Sequence, residues 1–174
     1  QNLSIVKEWL TRIRWLDLIS KCNNVFTQCV QHFYANLAPS HNATIQSFVK
    51  GVWLSLTPES LGELLDIPCE GLRDLSKIDK GHAIQIVLNF PQAIVHTPCN
   101  LRSLLVTCRI LLLIITHTFL SRSDSYNCIT KTELRLMACI ENGEPINLPH
   151  LIINHMLNKP DSLYYPMIVS HILE

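Results

Sequence analysis

Eight histidines and seven cysteines are the residues in this chain with the widest chemical repertoire, and their spacing decides which chemistry they could perform. A zinc site takes four ligands, usually as two close pairs. His96-Thr97-Pro98-Cys99 is the nearest approach to one pair, and Cys29 with His32, which a helix would set on one face, could be a second. Cys29 also falls on an apolar helical stripe, and that plain structural reading is the stronger, so no metal and no cofactor are expected. A Cys/His nucleophile needs a thiol beside a histidine with an orienting acid. With so many of both residues, chance pairings are common, and no enzyme signature surrounds Cys22, Cys29, Cys69, Cys99, Cys108, Cys128 or Cys139. No Cys-x-x-Cys occurs, so the thiols read as buried and reduced, which points to the cytoplasm or nucleus. Asn2-Leu3-Ser4 and Asn42-Ala43-Thr44 match the glycosylation sequon, a motif frequent by chance. The glycines are only Gly51, Gly62, Gly71, Gly81 and Gly143, too scattered to form a phosphate cradle.

Cations give a second set of candidates. Arg12, Arg14 and Lys21 around Trp15 could contact nucleic acid through phosphate binding and base stacking. The plainer reading is a solvated helix face beside a core tryptophan. Arg109 and His117 interrupt the most apolar stretch, Leu101 to Leu120. They are expected to be buried, and a buried charge must then meet an acid or carbonyl groups; a ligand carboxylate or phosphate is the sharper alternative. These two residues also argue against a membrane span, because the uninterrupted apolar run is only Ile110 to Ile115. Tyr164-Tyr165 reads as packing or interface rather than as a base platform.

The elements that must position these residues follow from periodicity. Leu3, Val6, Leu10, Ile13 and Leu16 recur at helical spacing and predict a first helix over about 3–20. Val25, Phe26, Cys29, Val30, Phe33 and Leu37 predict a second over about 23–37, ended by Pro39. The period then changes. Thr44 to Val49 and Val52 to Leu56 flank Lys50-Gly51 and predict a β-hairpin over about 44–56. Thr57-Pro58-Glu59 starts a short helix that stops before Pro68. A polar stretch follows, then a helix over about 81–89, and a core helix over about 100–121. Thr130-Lys131-Thr132-Glu133 is a capping box, Gly143 a stop signal, Asn147-Leu148-Pro149 a further start, and Pro166 the start of a last helix.

In that order, the residues resemble a known family. His32-Phe33-Tyr34-Ala35-Asn36-Leu37, then Phe48-Val49-Lys50-Gly51-Val52-Trp53-Leu54, is similar to a "Phe-Tyr-Ala-Asn" helix end and a "Val-Arg-Gly-x-x-Val" strand turn of the plant transposon protein domain. Lys50 stands where that family usually has Arg. Thr57 to Pro68, Leu104 to Leu120, and Thr130 to Ile153 resemble its later segments, so the likeness covers about residues 15–158. The resemblance implies a plant origin and descent from a long-terminal-repeat retrotransposon. It implies no catalytic residue, and no integrase, reverse-transcriptase or retroviral-type protease motif is present.

Bulk properties set the class. The chain has 174 residues, of which 48% are hydrophobic and only 16% charged; Lys+Arg and Asp+Glu both number 14. Its mean hydropathy is +0.21 and its pI about 7.2. That argues against disorder, gives no basic footprint, and suggests apolar surface meeting another chain or a missing part of the same chain. Residues 1–38 hold four basic and two acidic groups, a slight positive bias. Gln1 is not a translation start, and Glu174 closes what reads as an unfinished helix. The expectation is therefore one domain over 1–174, excised from a longer protein. It is mainly α, a multi-helix domain with one hairpin inserted between helices. Its expected role is non-catalytic protein interaction or self-association, without membrane contact. The alternatives are a nucleic-acid-binding module and an enzyme with a dispersed Cys/His site.

Overall fold

The computed structural model describes residues 1–21, 24–40, 43–89, 101–120, 128–158 and 163–174. Its elements run α1 (Asn2–Arg12), α2 (Leu16–Lys21), α3 (Thr27–Ala35), β1 (Ala38–Ser40), β2 (Thr44–Val49), β3 (Val52–Leu56), α4 (Pro58–Leu65), α5 (Lys80–Leu88), α6 (Val106–Ile114), α7 (Lys131–Asn142), α8 (Leu148–Asn158) and α9 (Pro166–Ile172). The fold is mainly α with a small antiparallel sheet, as the periodicity predicts.

Two compact units share the chain. One comprises Gln1–Arg14 and Gly71–Ile146, the other Trp15–Glu70 and Asn147–Glu174. In the first, α1 packs on α6 and α7, while α5 and a 3-10 turn at Leu75–Lys77 pack on α7. Val6, Leu10, Leu111, Leu112, Ile115, Leu136, Met137 and Ile140 are all buried there. The Thr130–Glu133 capping box is formed in full, with the Thr130 amide donating to Glu133 Oε2 at 2.8 Å and the Glu133 amide to Thr130 Oγ1 at 3.2 Å. At the other end of α7, Gly143 takes the left-handed conformation (φ 72°) that an αL cap requires. The Leu72 amide donates to the Pro145 carbonyl at 2.9 Å, in an isolated parallel bridge between Leu72 and Ile146.

In the second unit, α3 packs against α9 and β2, and α4 and β2 both pack against α8. Asn147 is fully buried at the start of α8. Its Oδ1 accepts the His150 amide at 3.0 Å, and its Nδ2 donates to the Cys69 carbonyl at 2.9 Å. Thr57 caps α4, with Ser60 returning the bond to its amide at 3.0 Å. An aromatic cluster joins α3, α8 and the residues that lead into α9. The Tyr34 hydroxyl donates to the Tyr164 carbonyl, His155 stacks on Tyr164 with ring centres 4.9 Å apart, and His155 Nδ1 lies 2.7 Å from the Tyr165 hydroxyl. Burial raises the pKa of both Tyr34 and Tyr165.

Several boundaries differ from the sequence reading. The helix expected over 3–20 is broken: α1 stops at Arg12, Arg14 adopts φ 62°, and α2 resumes at Leu16. The apolar spacing continues through the break, so periodicity alone cannot register it. The second helix is shorter than 23–37, and Val25 and Phe26 lie outside it and exposed. Pro39 is part of β1 rather than a simple stop. The core helix is divided, with a 3-10 turn at Leu101–Ser103, then α6, then a π-helical turn at Ile115–Phe119. There the Leu120 amide reaches the Ile115 carbonyl at 2.7 Å, and Thr116 Oγ1 donates to Leu112 O at 2.9 Å. A hydroxyl competing for backbone carbonyls is one recognised cause of such a distortion.

Candidate interaction surface

The predicted hairpin is present, and it forms the most conspicuous surface of the second unit. Val49 pairs with Val52 across a two-residue turn. Lys50 (φ 49°) and Gly51 (φ 87°) both have positive φ, as the type I′ turn that matches strand twist requires. Alternation then sorts the faces. Ile45, Ser47 and Val49 are buried, and Ser47 Oγ donates to the Phe33 carbonyl at 2.8 Å. Phe48 and Trp53 are cross-strand partners on the outer face, with ring centres 5.2 Å apart. Trp53 is 72% exposed and Val52 59%. Phe48 is 39% exposed, so the pair leaves one ring mostly in water and part of the other, an apolar patch of the kind that marks an interaction surface.

The two edges of this sheet differ. The strand order is β1-β2-β3. β1 contains Pro39, which has no amide to offer a further strand. Beyond β1, Asn36 Nδ2 donates to the Phe48 carbonyl at 2.9 Å and so extends the ladder with a side chain. β3, Val52-Trp53-Leu54-Ser55-Leu56, contains no proline and no charge. Next to a two-residue turn the closing pair exchanges hydrogen bonds, and pairs then alternate. Val52, Leu54 and Leu56 therefore bond to β2, and the amides and carbonyls of Trp53 and Ser55 point away from it. Neither residue makes a backbone hydrogen bond outside the ladder to any described residue.

Under this edge runs a groove of about 260 Å³ lined by Cys29, Val49, Val52, Leu54, Ile172 and Leu173, with Lys50 and Glu174 also on its wall. The inner face of β3 opens into it, since Leu56 is buried, Leu54 half-buried and Val52 exposed. Glu174 accepts from Asn24 Nδ2 at 3.1 Å and lies 3.4 Å from His171 Nδ1. Among the described residues, Lys50 has no ion-pair or hydrogen-bond partner.

The residues singled out from sequence have other roles. Trp15 is buried to 1% exposure, so it offers no face to a base. Arg12 Nη2 donates to the Ile140 carbonyl at 3.0 Å and to the Glu141 carbonyl, closing the C-terminus of α7. Lys21 pairs with Asp66 at 3.1 Å. Arg14 is exposed at the helix break. The expected burial of Arg109 and His117 is overturned, because both side chains are exposed. Arg109 does meet carbonyls, through Nε to Leu104 O at 3.0 Å and Nη2 to Arg102 O at 2.8 Å, and His117 Nδ1 lies 2.8 Å from Leu113 O. The apolar stretch is amphipathic, and these two residues mark its wet side. Tyr164 and Tyr165 are buried, as a packing role requires.

Cys29 is half-buried and His32 exposed, while His96 and Cys99 lie outside the described residues. Among the described residues no group of three or more His, Cys, Asp or Glu side chains could hold a metal ion. Cys139 is buried beside Glu144, with Sγ to Oε2 at 3.6 Å, and burial pushes its pKa up to about 12, the opposite of what a nucleophile needs. Among the described residues no helix is long and apolar enough to cross a membrane.

Fold and surface together define a mainly helical protein that displays an apolar, open-edged hairpin on an antiparallel sheet. The chain belongs to the plant retrotransposon-related domain family: the family described as "Putative plant retrotransposon-related domain" matches residues 11–174. Comparison with curated proteins and with solved structures gives no match.

Proposed function

We propose that this chain is a non-catalytic protein-interaction domain of a retrotransposon-derived plant protein, acting in the cytoplasm or nucleus, with the outer face of the β2–β3 hairpin as its contact surface. The observation that carries this reading is the Phe48–Trp53 pair, two large apolar rings set side by side on an exposed strand face. Aromatic residues concentrated on an otherwise uncovered surface are the usual anchors of protein interfaces. The low charge of the whole chain supports the same reading.

A photo-crosslinking residue placed at position 53 tests it. Irradiation should join position 53 to a polypeptide far more efficiently than the same group at exposed Glu63 on α4. Equal, background yields from both positions would remove the hairpin from consideration as the contact surface.

A further inference from the structure

We infer that the open edge of β3 pairs antiparallel with β3 of a second copy of this chain, around a twofold axis at Leu54. The inference rests on the interaction role proposed above and names the partner. Edge strands are ordinarily protected by proline, lysine or an inward charge. β1 has such protection in Pro39, and β3 has none. The polar backbone groups of β3 that face outward belong to Trp53 and Ser55, one residue either side of Leu54. A twofold at Leu54 sets Trp53 of each copy opposite Ser55 of the other, and both outward amides and both outward carbonyls of each strand find partners. The strand is thus complementary to itself in one register.

Three further features fit that register. On the outer face, each Trp53 ring lies over the small Ser55 side chain of the other copy, so the bulk of the indole has space. On the inner face, Leu54 of one copy enters the groove of the other beside Val52, Leu54, Ile172 and Leu173, filling apolar space that is open in the single chain. Charge is complementary too. The pairing brings the turn of one copy, with Lys50, beside the start of α4 in the other, with Glu59. Lys50 occupies a left-handed position where glycine or asparagine would be less strained by about 1 kcal/mol. A role for its cation across the interface accounts for lysine there.

An interface of five residues per strand lies at the small end of specific contacts, so association should be weak and concentration-dependent. Light scattering of the whole chain, from roughly 1 μM to 1 mM, should show mass rising from monomer to dimer. Ser55→Pro removes an outward donor without touching the ladder to β2, and it should hold the chain monomeric with an unchanged circular-dichroism spectrum. Lys50→Glu and Glu59→Lys each place like charges opposite one another and should each weaken self-association at least tenfold. Mixed together, these two variants restore complementary pairs and should form a heterodimer, and the double variant should self-associate like the parent.

A strictly monomeric chain over this range overturns the proposal, and the crosslinking yield at position 53 then reports separately whether the face binds a different protein. Self-association that ignores Ser55→Pro or the charge exchange also overturns it, while leaving an interaction role intact. Should Ser55→Pro fail to fold, the mixing experiment alone decides.

Discussion

Replacing Arg12 with alanine should weaken the first unit by about 1–2 kcal/mol, because its guanidinium closes the C-terminal end of α7. Two carbonyls there, those of Ile140 and Glu141, accept from Nη2. A hydrogen bond from a charged donor contributes about 1.5–3 kcal/mol net where water is excluded, and a cation at a helix C-terminus adds about 0.3–1 kcal/mol. Arg12 is an exposed residue, so water replaces part of what is lost and the low end of the sum applies. Arg12→Lys keeps the charge but not the length and planar shape that carry Nη2 to both carbonyls, and should lose roughly half as much. Arg14 is the internal control. It sits two residues away at φ 62°, so Arg14→Gly should stabilise by up to ~1 kcal/mol through release of strain. Gly143 supplies a second control, since a Cβ there would lie 2.5 Å from Arg12 Nε. Gly143→Ala therefore displaces the guanidinium as well as straining its own backbone, and in combination with Arg12→Ala the two losses should be less than additive. Urea unfolding followed by circular dichroism measures all of these. An Arg12→Ala change within ~0.3 kcal/mol of the parent, or strict additivity with Gly143→Ala, would refute the capping role. The same result matters for nucleic acid: any loss of binding in an Arg12 variant must first be corrected for unfolded chain.

Three other substitutions probe positions where the structure leaves little freedom. Asn147→Ala removes both the cap of α8 and the donor to the Cys69 carbonyl, and should cost about 2–3 kcal/mol in urea unfolding. Gly71→Ala would put a Cβ 2.3 Å from the Pro145 carbonyl oxygen at φ 95°, so the Leu72–Ile146 bridge must open; faster amide exchange at Leu72 should report it. Burial raises the Glu141 carboxyl pKa, and Oε2 has no hydrogen-bond partner among the described residues. A carboxyl whose folded pKa is raised opposes folding once it ionises. Stability should therefore fall as pH rises from the unfolded pKa through the folded one, and the penalty is complete above the folded pKa. Glu141→Gln should then be more stable than the parent at pH 7 and should match it at acid pH, which thermal melts across pH will show.

What could be read from sequence depended on how local the determining physics was. The α7 box needs only Thr130 and Glu133, the stop needs only Gly143, and the hairpin turn needs only Lys50-Gly51 between alternating runs; all three lie where the residues put them. The α1–α2 break was not legible, because its apolar positions keep helical spacing on both sides of Arg14. Chain crossings explain why. Residues 1–14 belong to a different compact unit from residues 15–70, and a change of packing partner leaves no mark on periodicity. Arg12 was legible as a cation at a helix end but not as the cap of α7, since its acceptors stand 128 and 129 residues away.

The candidate surface was half legible for a related reason. The turn fixes the pairing of Phe48 with Trp53, so the aromatic face follows from the sequence once a hairpin is assumed. Whether β3 is an edge or a central strand does not follow, because its composition of valine, tryptophan and leucine suits either. The deciding fact is that the third strand adds to β2 rather than to β3. Pro39 carried the relevant signal, read too narrowly as a helix stop. A proline three residues after an "Ala-Asn" helix end can follow a helix stop, but it can also sit within a strand and block that strand's outer edge. Once Pro39 is assigned to that blocked edge, the unguarded Val52–Leu56 strand becomes, among the described strands, the one place where the sheet can grow. A sheet that is closed on one side and open on the other can add a single further strand system, which favours a dimer over an open-ended fibre.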